Sequence, residues 1–310
     1  MKIQVVPVLL TWLFVAPPFA LLFVVNTDLG GTSLLFLPTL IGFLAPYLRQ
    51  RLFREPTGTF NYYGYAALAM VSTLALILVF GLDGAICIAM AVPLVVPLAL
   101  VGAWIAKRVA PPHDGPSGVA SVVLLTAVGF LSFDALKPPP ALRPVQTALV
   151  IDAPPQRVWD SMLEFETADP PTDWLFRVGI AYPVDARVEG TGTDAVRYCN
   201  FSTGSFVEPI TVWDEPQLLA FDVAAQPDPL VEQNPFHDIR PAHLETAFRS
   251  RRGQLRLEAL SDGRTLLEGT TWYEVDMGPE FYWRWWSDAI VHRIHRRVLE
   301  TVRERSEAGD

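Results

Sequence analysis

Five apolar runs within the first 136 residues limit the possible folds more than any other feature of the chain. Roughly 17–25 apolar residues are enough to cross the hydrocarbon core of a bilayer. The sequence therefore predicts an all-α transmembrane bundle of about five spans over residues 1–136. The runs are Ile3–Val25, Ser33–Leu48, Tyr63–Leu82, Ala85–Ala106 and Val119–Leu136. The alternative for the first run alone, a secretory signal peptide after Lys2, is less favoured because further apolar runs follow it.

Basic residues in the short loops between the runs predict an orientation. Lys and Arg flank the cytoplasmic ends of spans, and the loops around Asp28 and Asp83 contain neither. The N-terminus is thus expected in the cytoplasm, in a bacterial inner membrane crossed several times. The C-terminal half would lie outside if five spans cross and in the cytoplasm if four cross. The basic residues in the alternate loops are Lys2, Arg49, Arg51, Arg54, Lys107 and Arg108.

The two halves of the chain differ in charge. Residues 1–140 carry 5 acidic and 7 basic residues, and residues 141–310 carry 28 acidic and 17 basic ones, all arginine. A strongly acidic domain is a poor partner for phosphate backbones, so nucleic acid is excluded as a ligand. The two cysteines, Cys87 and Cys199, predict neither a disulfide framework nor a metal cluster.

A proline-rich linker over residues 137–144 separates the apolar half from a predicted α+β domain over residues 145–307. Consecutive prolines favour an extended, stiff spacer. After it come a strand, a helix that begins near Pro154 and Pro155, six short runs with turn residues between them, and a long C-terminal helix. Alternation of apolar and polar residues in the runs predicts an antiparallel meander with one covered face.

The long C-terminal helix is expected to cover that face. On a helical wheel one apolar arc forms, and we expect it to pack on the sheet. Tyr282 and Trp285 lie outside the arc, which leaves a neighbouring loop, a pocket rim or the membrane interface as their partner. The arc consists of Trp283, Trp286, Ile290, Ile294, Val298 and Val302.

Three motifs carry a resemblance to a known superfamily: "VIDAPPQRVWDSM" at 150–162, "EPITVWDEPQLLAFDV" at 208–223 and "GRTLLEGTTWYEV" at 263–275. Together with the long last helix, they resemble the SRPBCC (START-like, polyketide cyclase/dehydrase-like) superfamily. The resemblance implies a helix-grip fold, in which a curved antiparallel sheet surrounds the C-terminal helix and leaves an apolar cavity. It marks the fold and implies no particular reaction.

Strand parity and the long loop give candidate ligand-binding residues. Glu208 shares its parity with Phe206, so a buried carboxyl with a raised pKa could act as acid or base; the alternative is a solvated side chain, if the parity breaks at Pro209. The candidates are Tyr182, Tyr198, Phe206, Glu208, Phe221, His237, His243, Leu257, Thr271 and Tyr273.

The loop at residues 234–245 contains His237, Asp238, His243 and Glu245. The H-x5-H spacing matches no standard zinc motif, so we expect neither a metal nor another cofactor there. A long loop in a compact domain is typical of a lid, and the two histidines would then lie at the mouth of the cavity.

Three functions stay open at this point. The preferred one is a membrane-anchored domain that binds a lipid or another apolar small molecule. The second is a cyclase/dehydratase-type enzyme that uses an acid–base residue in the cavity, and Glu208 is the candidate. The third is a non-catalytic sensor or assembly module, whose spans contact the bilayer and other membrane proteins.

Overall fold

The computed structural model describes residues 5–25, 31–53, 59–109, 125, 139–166 and 170–308. The chain divides into two compact units. The helical unit contains Met1–Pro138, Glu232–His243 and Met277–Phe281, and the sheet unit contains Pro139–Val231, Leu244–Asp276 and Tyr282–Asp310.

Four long helices occupy the described part of the helical unit: α1 (Val6–Val25), α2 (Gly31–Phe53), α3 (Thr59–Val79) and α4 (Ala85–Val109). Within the described residues, two stretches are long and apolar enough to cross a membrane, Asn61–Val79 and Ala85–Val109.

The prediction of an all-α bundle of about five spans is therefore wrong. The described side chains of α1 give a shorter apolar helix, Val6–Val15. Helix α2 contains Pro38 and Pro46 and has Arg49, Gln50 and Arg51 near its end, so its average hydropathy is lower than that of α3 or α4. Apart from Leu125, the fifth predicted run, Val119–Leu136, lies outside the described residues.

Helices α2 and α4 approach each other most closely at two glycines. A Cβ atom at Gly42 would overlap the carbonyl oxygen of Ala99, and one at Gly102 would overlap the carbonyl oxygen of Thr39. Small residues allow the backbones of two apolar helices to touch, so van der Waals packing joins this pair.

The segment Glu232–His243 belongs to the helical unit and is tied to the turn between α3 and α4. The Ala85 amide donates to the Gln233 carbonyl (2.8 Å), and the Asn234 side-chain amide donates to the Leu78 carbonyl (2.8 Å). The end of one helix and the start of the next have backbone groups without partners inside the helix, and this segment supplies some. Residues 234–243 of the loop predicted as a lid belong to the helical unit, and the lid itself stays a prediction.

The sheet unit contains one antiparallel sheet of eight strands in the order β1-β8-β7-β6-β5-β4-β3-β2. The six predicted runs correspond to β3 to β8, so the predicted antiparallel meander is confirmed. The strands are β1 (Arg143–Ile151), β2 (Phe165–Glu166), β3 (Pro183–Glu189), β4 (Val196–Phe201), β5 (Gly204–Asp214), β6 (Leu218–Asp222), β7 (Phe248–Ala259) and β8 (Thr265–Val275).

Among the described residues of the sheet unit, three α-helices accompany the sheet: α5 (Pro155–Leu163), α6 (Trp174–Val178) and α7 (Glu280–Glu307). Proline in the first turn of α5 has no amide to leave unpaired, so this start agrees with the sequence prediction. The core of the unit lies between the sheet, α5 and α7. It includes Trp159, Met162, Leu219, Leu267, Leu299 and Val302.

The buried face of α7 is rotated from the predicted arc. Trp283, Val298 and Val302 are buried as expected, but Trp286, Ile290 and Ile294 are only half-buried. The buried set is Trp283, Ser287, Val291, His295, Val298, Leu299, Val302 and Ser306. Trp285 and Phe281 are exposed. The wheel counted only apolar side chains, whereas small and polar ones occupy part of the contact.

Candidate functional site

A cavity of about 110 Å³ lies in the sheet unit, between the inner face of the sheet and α7. A single water needs roughly 10–15 Å³ of such a cavity, so the space holds several waters or a compact ligand. The strands contribute mainly aromatic and aliphatic groups, among them Phe201, Phe206, Phe221, Phe248 and Leu255. Helix α7 closes the other side with Val291, Ile294, His295, Val298 and Leu299. The site is thus an apolar cavity with a few polar groups, which is the usual form of a small-molecule site.

Arg197 and Glu208 form a buried ion pair in this wall. They are paired residues across β4 and β5, and their side chains are joined by an Arg197 Nη1–Glu208 Oε2 hydrogen bond. Only 4% of Arg197 and 6% of Glu208 is exposed. Burial raises the pKa of Glu208, and the neighbouring guanidinium opposes this rise. Burial opposes the charge on Arg197, but Glu208, together with Cys199, outweighs burial and raises the pKa of the guanidinium.

The pairing settles the two alternatives for Glu208. The Glu208 carboxyl is buried rather than solvated, and it forms an ion pair with Arg197. Arg197 therefore keeps its charge, while Glu208 takes up a proton more readily than an exposed glutamate does.

One polar atom of the pair is left without a partner. The Nε of Arg197 is buried and makes no hydrogen bond within the described residues. The guanidinium lies over the Phe221 ring, 5.2 Å from its centroid, and the arrangement is typical of a cation–π contact. The ring in turn covers Gly253, where an added Cβ would come within 2.6 Å of it. Glycine at this position lets Phe221 lie flat beside Arg197.

Cys199 lies on the same face of β4 as Arg197 and is also buried. Burial raises the pKa of its thiol to about 12, although Arg197 partly opposes the shift. A thiol with this pKa stays protonated near neutral pH, and the thiolate is the nucleophilic form. Cys199 is therefore a wall residue rather than a candidate nucleophile.

His295 of α7 crosses to two threonines of the sheet. Its Nε2 lies 2.8 Å from the Thr271 hydroxyl, and its Nδ1 lies 3.1 Å from the Thr147 hydroxyl. Thr147 also contacts His292 Nδ1 at 2.8 Å. Burial, with a smaller electrostatic contribution from His292, lowers the pKa of His295 to about 4. The ring is therefore neutral at physiological pH, and one of its nitrogens can accept a hydrogen bond.

Four of the ten predicted ligand-binding residues line this cavity: Phe206, Glu208, Phe221 and Thr271. The other six lie elsewhere. Tyr182 packs against Phe176 and beneath Arg297, Tyr198 packs beneath Arg187, and Leu257 belongs to the core cluster. Tyr273 donates its hydroxyl proton to Asp288 and stacks on Phe248. His237 and His243 belong to the helical unit.

Arg197, Cys199 and His295 are cavity residues that the sequence did not single out. On β4 the parity prediction that chose Tyr198 is wrong, because Arg197 and Cys199 are the buried residues and Tyr198 is only half-buried. An arginine between apolar neighbours is normally assigned to the wet face. The signal that could have found it is the opposite charge of Glu208, and this needs the β4–β5 register.

Within the residues that the structure describes, a single group of three His, Cys, Asp or Glu side chains has converging ligand atoms. It lies in the helical unit and not in this cavity. The cavity itself therefore shows hydrogen-bonding groups but no convergent set of metal donors.

No protein-family profile matches the chain. No curated protein matches it either. Several solved structures resemble about half of it. They include the ZhuI aromatase/cyclase from Streptomyces sp. R1128 (14% identity, 54% of this chain and 94% of that one, TM-score 0.36). A START superfamily protein from Mycobacterium smegmatis has 13% identity over 54% of this chain and 99% of that one (TM-score 0.35). A protein from Nitrosospira multiformis has 18% identity over 54% and 97% (TM-score 0.34).

Proposed function

We propose that the sheet unit binds a compact, mainly apolar small molecule that presents one hydrogen-bond acceptor to Arg197. The observation that carries this proposal is the buried Arg197 Nε without a hydrogen-bond partner, in a side chain that lines a mainly apolar cavity. A buried donor left unpaired costs about 1–3 kcal/mol, and an acceptor oxygen of a ligand would recover part of this. The cavity volume favours a single-ring molecule over a whole lipid.

Membrane anchoring by α3 and α4 is the second part of the proposal. Both helices have the length and apolar composition of a span. Lys107 and Arg108 lie in the last turn of α4, and Arg51 lies in the last turn of α2, directly before α3. In an inner membrane these basic ends would face the cytoplasm. The bound molecule would then be captured beside a bilayer, in which apolar compounds concentrate.

A matched probe pair tests the binding proposal. The full-length protein in detergent would be titrated with para-fluorobenzoate, which has a carboxylate, and with fluorobenzene, which has none, while fluorine NMR follows line broadening above a detergent blank. We expect the benzoate to bind at least about tenfold more tightly, because a hydrogen bond to a charged group contributes about 1.5–3 kcal/mol. Equal broadening by both probes would remove the role given to Arg197.

Gly269 offers a variant pair for the same experiment. A Cβ here would make ordinary contacts with Leu255, Leu299 and His295, at 3.6–3.9 Å, so Gly269→Ala should fold and bind. Gly269→Leu places three further carbons where the cavity is lined and should abolish benzoate binding. If Gly269→Leu folds and still binds like wild type, the ligand occupies another place.

An acid–base enzyme is the second candidate, and one observation favours it: Glu208, with a raised pKa, and a neutral His295 line the same cavity. Native mass spectrometry of the full-length protein would identify a co-purified molecule, which would then be incubated with fresh protein. Conversion that is lost in Glu208→Gln, while binding is kept, would support catalysis. Recovery of the unchanged molecule would contradict catalysis and support binding as the function of the cavity. A filled core would have favoured the sensor or assembly interpretation, and the cavity does not give it that support.

A further inference from the structure

Three potential metal ligands converge in the helical unit, and none of them is among the residues that line the cavity. The ligand atoms of Asp83, Cys87 and His243 all lie within 4.8 Å of one another, and each side chain is half-buried. Asp83 is in the turn between α3 and α4, Cys87 is in the first turn of α4, and His243 ends the segment Glu232–His243. The Cys87 Sγ and His243 Nε2 atoms are 3.6 Å apart.

These separations are close to those of an occupied tetrahedral site. Zinc binds sulfur, nitrogen and oxygen at roughly 2.0–2.3 Å, which puts neighbouring ligand atoms roughly 3.4 Å apart. Side-chain shifts of about 1 Å would therefore bring all three donors to one ion. The half-buried positions also leave a path by which an ion can enter.

A neighbouring carboxylate holds the two parts of this cluster together. Glu232 accepts hydrogen bonds from the amides of Cys87 (2.7 Å) and Ile86 (3.1 Å), at the start of α4. A negative charge is favoured at the N-terminus of a helix. Both carboxylate oxygens are engaged by amides, so Glu232 positions the segment and is not counted as a ligand. Glu232 and His243 thus both contact the first turn of α4, Glu232 through the amide of Cys87 and His243 through its sulfur.

We propose that Asp83, Cys87 and His243 bind a divalent transition-metal ion of the zinc type, which fastens the segment Glu232–His243 to the turn between α3 and α4. One thiolate, one imidazole and one carboxylate form a mixed donor set that suits zinc, whereas calcium and magnesium prefer oxygen ligands alone. A fourth coordination position is left for water. This differs from the sequence prediction, which considered His237, Asp238, His243 and Glu245 as a set and expected no metal there.

Cobalt substitution tests the site directly. Untagged full-length protein in detergent would be stripped with a chelator and titrated with Co²⁺, which gives a thiolate-to-cobalt charge-transfer band only when sulfur is a ligand. We expect this band at one ion per chain, and its displacement by Zn²⁺. Absence of the band in the wild-type protein overturns the proposal without the use of any variant.

The two cysteines of the chain allow the band to be assigned. Cys199→Ser should keep the band, because Cys199 lies in the sheet unit, and Cys87→Ser should lose it. If Cys87→Ser does not fold, retention in Cys199→Ser still assigns the band to Cys87. Loss in Cys199→Ser with retention in Cys87→Ser would place the metal elsewhere and overturn the proposal.

Histidine variants in the same segment complete the test. His243→Gln should weaken cobalt binding at least about tenfold, since even changes beyond the direct ligands of a metal have effects of this size. His237→Gln is the matched control: its ring contacts the Val79 carbonyl at 2.7 Å and is not a proposed ligand. Equal cobalt affinity in His243→Gln and wild type would show that His243 is not a ligand. It would refute the proposal that a metal ion fastens the segment Glu232–His243 to the turn between α3 and α4.

Discussion

Arg197 and Glu208 face each other across β4 and β5, and each is almost completely buried. Removal of one partner leaves an uncompensated buried charge, which typically costs about 3–5 kcal/mol, whereas replacement of both by apolar residues of similar volume is often neutral. We therefore expect Arg197→Met to destabilise the domain strongly and the double change Arg197→Met/Glu208→Leu to recover most of the loss. Urea unfolding of the full chain measures both.

The Arg251–Glu274 pair provides the matched control, since it lies at the surface with about half of the Arg251 side chain exposed. Exposed pairs contribute at most about 1 kcal/mol. Arg251→Met should therefore change the unfolding free energy little. A double variant as unstable as Arg197→Met alone would show that the cavity needs these charges for more than mutual compensation.

His295 should make stability fall with acidification. Its pKa is about 4 in the folded chain against an ordinary value of 6.5, so below pH 6.5 the unfolded chain gains a proton that the folded chain does not accept. The free energy of unfolding then decreases from pH 6.5 down to about 4, by at most about 3 kcal/mol. Unfolding midpoints for wild type and His295→Asn across this range measure it.

Glu208 contributes in the opposite sense, because its raised pKa makes the folded state take up a proton first. The difference between wild type and His295→Asn isolates the histidine from this effect. His237→Gln, which changes an exposed ring of the helical unit, serves as the control. An identical acid dependence in wild type and His295→Asn would mean that another group controls it.

At the scale of elements, the buried face of helix α7 differs from the face that the sequence predicted. Leu299 is 1% exposed and touches the core, whereas Ile290 is half-buried. Leu299→Ala should cost about 2–5 kcal/mol through lost contacts and a new cavity. Ile290→Ala should cost roughly 1 kcal/mol or less. Thermal unfolding of both variants tests the orientation, and the reverse order of stabilities would restore the predicted arc.

The sequence pattern was enough to predict those elements whose signals lie within a few neighbouring residues. Turn residues at even spacing gave β3 to β8, and Pro154 and Pro155 gave the start of α5. The inward side of β4 was not available in this way, because the buried charge of Arg197 is tolerated only opposite Glu208, eleven residues later. The position of Glu232–His243 also depends on partners at residues 78–87, about 150 residues away in the chain. Such pairings follow from tertiary structure, not from periodicity.

At the scale of the whole molecule, the orientation of α3 and α4 can be measured. If they span the membrane with basic ends inside, the opposite turn and the segment bonded to it lie outside. The segment leads directly into the sheet domain, so we also expect that domain outside. Asp238→Cys, at an exposed position of the segment, should react with an impermeant maleimide in spheroplasts, whereas Lys107→Cys should react only after lysis. A cysteine-free Cys87→Ser/Cys199→Ser chain is the background.

The result has two contradicting outcomes. Labelling of Lys107→Cys with protection of Asp238→Cys would reverse the orientation and place the sheet domain in the cytoplasm. Equal labelling of both before lysis would mean that α3 and α4 do not cross a bilayer. Residues 110–138, which connect α4 to the sheet unit, lie outside the described part of the chain apart from Leu125.

Gly42 and Gly102 have a consequence for how the helical unit tolerates change. Each sits where the backbone of the facing helix leaves no room for even a methyl group, and the two positions belong to one crossing of α2 and α4. An alanine at either position would clash with the facing backbone and force α2 and α4 further apart. Once the first alanine has separated the two helices, the second adds little further clash. The double variant should therefore lose hardly more stability than either single variant.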